Sequence, residues 1–351
     1  MTALASIINW YKKNKRDLPW RNTQNPYHIW LSEVILQQTR VEQGLPYYQK
    51  FTDKYPTVID LALANDDEVM KLWQGLGYYN RAANMLKTAR IIHQQLQGEF
   101  PNTYAELIKL KGIGPYTAAA IASFAFNEPV AVVDGNVYRV LSRVFAIDTP
   151  IDSTQGKKIF SELAQEVLFL KDAATHNQAI MELGATVCKP KLAQCENCVL
   201  RLQCMAYKNN EVYQYPVKSP KRKPIERFLN YIFVEDKSGN TYIRQRSNEG
   251  IWNNLFEFPL VETHQPVLHA DELLAHPTLA EKFDIKPTEL SIGFQTKHQL
   301  THQTLYATFW IAGGKNIKPN TEQGFAKVAI TKLHDFAVPR LLERFINTIL
   351  P

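Results

Sequence analysis

A chain of 351 residues that is 45% hydrophobic and 21% charged can bury more than one core, so wholesale disorder is excluded and two domains are expected. No uncharged apolar run of about 18 residues occurs, which excludes a membrane-spanning helix. Lys12, Lys13, Lys15 and Arg16 follow a short, broken apolar stretch, the reverse of a secretory signal, so a soluble intracellular protein is expected. The net charge of +6 is unevenly placed: residues 1–225 carry 27 basic and 20 acidic side chains (+7), and residues 226–351 carry 13 and 14 (−1). A basic first part joined to a neutral second part fits a polyanionic partner.

Residues 1–210 read as mostly helical. Asn25-Pro26 opens a segment in which Trp30, Leu31, Val34 and Ile35 recur at helical spacing, Asn suiting the cap and Pro the first turn. Val69, Leu72, Trp73 and Leu76 mark another helix, closed by Gly75-Leu76-Gly77-Tyr78-Tyr79. Further helices are expected over 81–97, 103–110, 117–126, 136–146, 155–169 and 175–186, with no strand before 225. Residues 216–228 form a basic, Pro-rich linker. Beyond it, 229–234 and 241–245 read as strands paired across a turn at 236–240. More strand signal lies at 290–295 and 304–312, with helices near 270–283 and 338–349, so 229–351 is expected to be an α+β domain.

Three features carry chemistry. Cys188, Cys195, Cys198 and Cys204 crowd into 17 residues, which points to thiolate ligation of zinc or of an iron–sulfur cluster rather than to a disulfide framework. Leu110-Lys111-Gly112-Ile113-Gly114-Pro115-Tyr116-Thr117 places two glycines between helices. Such a turn lets backbone N–H groups at a helix start meet a phosphate, with Lys111 adding charge. Two acids stand out. Asp134 follows three apolar residues and precedes a helix, a position that suits either an N-cap or a carboxylate at a cleft mouth. Glu33 sits on a helical face with Ile29, Trp30 and Leu36, where an acid is either paired or functional.

Taken in order, Leu18-Pro19-Trp20-Arg21, Asn25-Pro26-Tyr27, Trp30 to Thr39, Gly75 to Tyr79, the two-glycine turn, Val133-Asp134-Gly135-Asn136-Val137 and the four-cysteine loop resemble the MutY adenine DNA glycosylases of the helix-hairpin-helix superfamily. The resemblance implies a mainly α glycosylase domain over 1–215 and a Nudix-like α+β domain over 229–351. It implies excision of adenine opposite 8-oxoguanine or guanine in double-stranded DNA, after the base is swung out of the stack. The protein is then expected to be a monomer in the bacterial cytoplasm or nucleoid.

The roles implied are residue-specific. Glu33 matches the general acid and Asp134 the carboxylate that steadies an oxocarbenium-like sugar, while Tyr116 and Asn136 flank the pair. Trp20, Arg21, Leu36 and Gln178 match the adenine pocket, Gln178 offering both donor and acceptor to a base edge. Tyr78 matches a wedge beside the lesion, Gln37 and Thr39 hold the lesion strand, and Lys111, Gly112 and Gly114 grip the backbone. The four cysteines hold a 4Fe–4S cluster in a loop spanning 188–204, with Lys189, Lys191 and Arg201 facing phosphates. Tyr116 stands where strand-cutting relatives carry a Schiff-base lysine, and Tyr138 where some family members carry another, so a monofunctional glycosylase is implied.

In the second domain, Gly250-Ile251-Trp252 and Phe256-Glu257-Phe258-Pro259 match early Nudix strands. No Glu-Glu dipeptide occurs, so Nudix hydrolysis is not expected. Where the family often has Phe-Ser-His for reading oxoguanine, this chain has Leu300-Thr301-His302, preceded by His298. Thr301 keeps the hydroxyl, but the aromatic ring is lost. A pyrimidine-excising relative, a non-catalytic binder of damaged DNA and a Nudix nucleotide hydrolase are the alternatives.

Overall fold

The computed structural model describes residues 6–220, 223–247, 250–283, 289–313 and 324–350. Its contacts divide the chain into two compact units: Met1–Leu63 with Asn84–Lys221, and Ala64–Ala83 with Arg222–Pro351. A contiguous first domain over 1–215 was expected; the twenty residues from Ala64 to Ala83 instead pack within the second unit.

The first unit is helical: α1 (Ser6–Asn14), α2 (Pro26–Ile35), α3 (Val41–Lys54) and α4 (Val58–Leu63) precede the insertion. α5 (Asp66–Trp73) belongs to the second unit, and α6 (Asn80–Leu96) runs across the division. The first unit continues through α7 (Tyr104–Leu107), α8 (Pro115–Phe126), α9 (Gly135–Phe145), α10 (Thr154–Glu166), α11 (Ala173–Thr186) and α12 (Met205–Lys208).

Local chemistry sets these boundaries. The Asn25 side chain accepts from Tyr27 N at 2.9 Å with Pro26 in the first turn of α2, and Asp134 and Ser153 cap α9 and α10 in the same way. Over 103–110 only Tyr104–Leu107 is helical, because the chain turns there to enter the two-glycine segment.

α2 is buried almost all round, from Tyr27 to Ile35, and packs on α8. The small residues Ala118, Ala119, Ala120 and Ala122 of α8 let neighbouring backbones approach closely. α1, α9, α10 and α11 share a second cluster built on Ile7, Tyr11, Leu141, Phe160, Ile180 and Leu183. Burying such side chains supplies most of the stability of helices this short.

The second unit contains β1 (Ile225–Val234), β2 (Asn240–Gln245), β3 (Phe256–Glu257), β4 (Leu260–Thr263), α13 (Ala270–Leu274), α14 (Pro277–Lys282), β5 (Glu289–Gln299), β6 (Gln303–Gly313), β7 (Ala326–Ala329) and α15 (Arg340–Ile349). β1 starts inside the expected linker, at Ile225.

The expected pairing of 229–234 with 241–245 does not form. β1 pairs with β4 antiparallel and with β6 parallel in a sheet ordered β4-β1-β6-β5, whereas β2 joins β3 and β7 in a separate sheet. The cause lies in burial: Asn230 to Val234 are all buried, so β1 is an interior strand flanked on both edges, and the turn at 236–240 sends the chain to the other sheet. Gly250 to Trp252 form a turn rather than a strand, with Trp252 at φ 65°. The 270–283 helix is broken in two at His276-Pro277.

Leu229, Tyr231 and Phe233 point to one side of the larger sheet, against α15. There Phe345 stacks on Phe309 at 4.4 Å and meets Phe233 and Phe258 edge-on at 5.4 and 5.8 Å. Phe345→Ala is expected to lower the stability of the second unit by about 3–5 kcal/mol, read as a shifted denaturant midpoint.

Candidate active site

A cavity of about 500 Å³ opens in the first unit, lined by Glu33, Tyr116, Asp134 and Asn136 together with Trp20, Arg21, Leu36 and Gln178. The four expected catalytic residues and the four expected pocket residues therefore share one wall-to-wall space. Thr39 lines it as well, and Gln37 Nε2 reaches Thr117 Oγ1 at 3.5 Å beside it.

Glu33 projects from the buried α2 and is 7% exposed. The Tyr116 hydroxyl donates a short hydrogen bond to its carboxyl. Burial pushes the Glu33 carboxyl up to about 7; the bond from Tyr116 opposes this, the charge of Asp134 adds to it, and Arg21 opposes it.

Asp134 is in a different environment. It N-caps α9, its Oδ1 accepting from Asn136 N at 2.9 Å and Val137 N at 2.8 Å, while Oδ2 accepts from Asn136 Nδ2 at 2.7 Å. Burial raises its pKa too, but these donors and the charge of Arg139 favour its anion. The N-cap of α9 thus also lines the cavity, and burial lifts both acids, Glu33 to about 7.

A second layer fixes the Asp134 turn. Arg139 Nη2 donates to Asn136 Oδ1 at 2.8 Å and to Gly184 O at 2.7 Å, while its Nε donates to Cys188 O at 2.7 Å. Gly184 admits Asn136: a Cβ there would lie 2.6 Å from Asn136 Cβ and 3.0 Å from its carbonyl oxygen. Behind the pocket, the Tyr11 hydroxyl donates to Gln178 Oε1, so one of the two groups Gln178 was expected to offer a base edge is already engaged. Trp20 is braced edge-on by Tyr48 at 5.1 Å.

Sequence reasoning missed Tyr11, Arg16, Arg139, Glu182 and Gly184. Arg139 could have been found, since it stands three residues after Asn136 on α9, where helical neighbours meet. Glu182 carries the signal that marked Glu33, an acid among apolar neighbours, here Ile180, Met181 and Leu183.

The two-glycine turn is built as its residues require. Gly112 adopts φ 86°, and a Cβ there would come within 2.9 Å of Asn84 Cβ. Gly114 precedes α8 with open space beside it, and no side chain caps that helix start. Lys111 is exposed, while its carbonyl oxygen accepts from Thr88.

The four cysteines form no disulfide and line one apolar cavity with Val140, Val144, Leu183 and Leu200. Arg143 Nη1 donates to Cys188 Sγ at 3.3 Å, and Cys204 Sγ donates to Arg143 O at 3.3 Å. Among the described residues, no three His, Cys, Asp or Glu close on a point that one metal ion would occupy. Arg201 is not turned wholly to solvent: it pairs with Glu196 at 2.7 Å.

In the second unit, Tyr78 is half exposed at φ 47°, and its hydroxyl stands 2.8 Å from Thr301 Oγ1. Two residues far apart in sequence and expected to contact the lesion are thereby in contact with each other. His302 is exposed, and His298 lies 6.2 Å from the Trp252 ring.

Gly184→Ala is expected to lower both the thermal midpoint and the excision rate, because Asn136 and the Asp134 turn must shift to admit the methyl. Thermal unfolding beside single-turnover base release checks this.

Comparison with known proteins bears on both units of the chain. Residues 31–166 match the family described as HhH-GPD superfamily base excision DNA repair protein, and residues 230–348 match the NUDIX domain. The chain is 36% identical over 316 residues to the adenine DNA glycosylase of Buchnera aphidicola subsp. Baizongia pistaciae, covering 89% of this chain and 87% of that one. It is 43% identical over 219 residues to the adenine DNA glycosylase of Homo sapiens, covering 60% and 40% of the two chains. Among solved structures, a thermostable thymine-DNA glycosylase aligns with TM-score 0.54 at 29% identity over 59% of this chain and 95% of that one. An endonuclease III–DNA complex shares the fold, with TM-score 0.50 at 23% identity over 58% and 94% of the two chains. The chain belongs to the adenine DNA glycosylase family.

Proposed function

We propose that this DNA glycosylase hydrolyses the N-glycosidic bond of adenine mispaired with 8-oxoguanine or guanine in double-stranded DNA, using Glu33 as general acid and Asp134 as the stabilising anion. The observation that carries the reading is that two carboxyls line one cavity in different settings: Glu33 is buried with the Tyr116 hydroxyl as its donor, whereas Asp134 accepts three hydrogen bonds that favour its anion. Neutral Glu33 protonates a ring nitrogen of the extruded adenine and makes the base a better leaving group. Anionic Asp134, held by Asn136 and the first turn of α9, steadies the positive sugar until water adds. Trp20 and Leu36 supply apolar faces for the purine, and Arg21 and Gln178 supply polar contacts to its edge.

No amine stands at Tyr116, so hydrolysis leaves an abasic site and an uncut strand. Lys111, Gly112 and Gly114 hold a backbone phosphate at the exposed start of α8. Tyr78 enters the stack beside the lesion, with Thr301 and His302 nearby and Gln37 and Thr39 on the same strand. The protein acts as a monomer on chromosomal DNA in the bacterial cytoplasm. Cys188, Cys195, Cys198 and Cys204 would hold a 4Fe–4S cluster: four free thiols lining one apolar cavity suit a polynuclear group, which when bound supplies a fixed, thiolate-ligated brace for its loop.

Purified protein should release adenine from duplexes with adenine opposite 8-oxoguanine, seen as alkali-labile sites, and leave the strand intact without alkali. Glu33→Gln should cost at least about a hundredfold in single-turnover excision. Near-normal excision by that variant would remove Glu33 from the mechanism. Because the acid must be protonated, the wild-type rate should fall as pH rises through about 7, the value to which burial lifts Glu33. A brown preparation containing about four irons per chain is the expected state of the cysteine loop.

A further inference from the structure

Glu182 lies on α11 with its side chain fully buried. Its carboxylate is gripped from two sides. Arg16 donates from its backbone N at 3.0 Å and from Nε at 2.8 Å to Oε1, and from Nη2 at 2.8 Å to Oε2. Arg21 Nη2 donates to the same Oε2 at 2.6 Å. Both arginines line the cavity that holds Glu33. Burial alone would raise the pKa of the Glu182 carboxyl, but the bonds and charges of the two arginines outweigh it and bring it down to about 2. The two arginines therefore hold Glu182 as an anion at neutral pH.

We propose that Glu182 is a positioning residue for the proton donor: it clamps Arg16 and Arg21 to the cavity wall and offsets their charge, so that the neighbouring carboxyl of Glu33 keeps its proton at neutral pH. The inference rests on Glu33 being the general acid. Glu33 is faced by Tyr116 from α8, by Asp134 at the start of α9, and by Arg21 from the short helix Pro19–Arg21. Arg16, Arg40, Glu42 and Arg139 complete the charged lining of the cavity. Of these cations, Arg21 acts directly on Glu33, drawing its proton affinity down. Two guanidinium groups without their countercharge would draw it down further, since a like-signed neighbour of the proton disfavours the protonated, neutral acid's retention against its anion. The bidentate fork belongs to Arg16, and the Glu182 oxygen it steadies also holds Arg21 by a charge-assisted bond, which a neutral partner would do less firmly.

The test compares pH profiles of single-turnover adenine release for wild type, Glu182→Gln, Arg16→Gln and the double variant, with thermal unfolding to confirm each fold. Glu182→Gln removes the countercharge, and the basic limb should move to lower pH by about half a unit to one unit, the scale of one uncompensated nearby charge. Arg16→Gln removes a cation and leaves Glu182, so its limb should move to higher pH. The double variant restores the charge count and should return the limb toward that of wild type. A rate loss in Glu182→Gln with an unmoved limb overturns the proposal, because a purely structural residue would behave that way. Should Glu182→Gln not fold, Arg16→Gln decides, and a limb unmoved or lowered there overturns it. Wild type that releases no adenine, or shows no basic limb, would instead overturn the assignment of Glu33.

Discussion

The site depends on one constraint, the removal of the Glu33 carboxyl from water. α2 is buried on nearly every side, so the acid it carries has protein around it and the Tyr116 hydroxyl as its hydrogen-bond donor. That desolvation favours the neutral form and makes proton donation near neutrality available from a residue that in water would be fully ionised. The helix can be placed so deeply because α8 opposite it is built from alanines, which let the two backbones close up. Packing and chemistry are here the same fact, since loosening the contact of α2 with α8 would wet the acid.

The second carboxyl is handled by the opposite means. Asp134 is half-buried, and the start of a helix meets it with N–H groups, to which Asn136 adds a third donor. Those donors are held in turn by Arg139, which spans Asn136, the Gly184 carbonyl and the Cys188 carbonyl. The Cys188 carbonyl and the Asp134 carboxyl are therefore joined by two side chains in series, Arg139 and Asn136. The loop, remote in sequence, is continuous with the site in hydrogen bonds.

Much of this was legible in the sequence, and the reasons differ by residue. Helix positions followed apolar spacing and capping residues, and Asn25-Pro26, Asp134 and Ser153 mark true starts. The candidate residues Glu33, Asp134, Tyr116 and Asn136 stood out because they sit in ordered motifs whose combination is specific. The paired strands after residue 229 were misread because proximity along the chain favours a hairpin, whereas the all-buried run from Asn230 to Val234 demands neighbours on both edges and takes β6, whose partners lie 78 residues on, as one of them. Arg139, Glu182 and Gly184 escaped notice because their importance is relational: each is an ordinary residue until its partner is known.

The insertion of Ala64 to Ala83 into the second unit alters how the molecule can be divided. Val69, Met70 and Trp73 are buried there, Lys71 Nζ meets Phe336 O at 3.4 Å, and Tyr79 donates to Val338 O. A cut at the Pro-rich stretch near 216–228 would thus not free two self-sufficient pieces. It would strand an amphipathic helix on the wrong fragment, so the covalent order of the chain and the modular order of the fold are not the same, and Tyr78 travels with the unit that carries its partner Thr301.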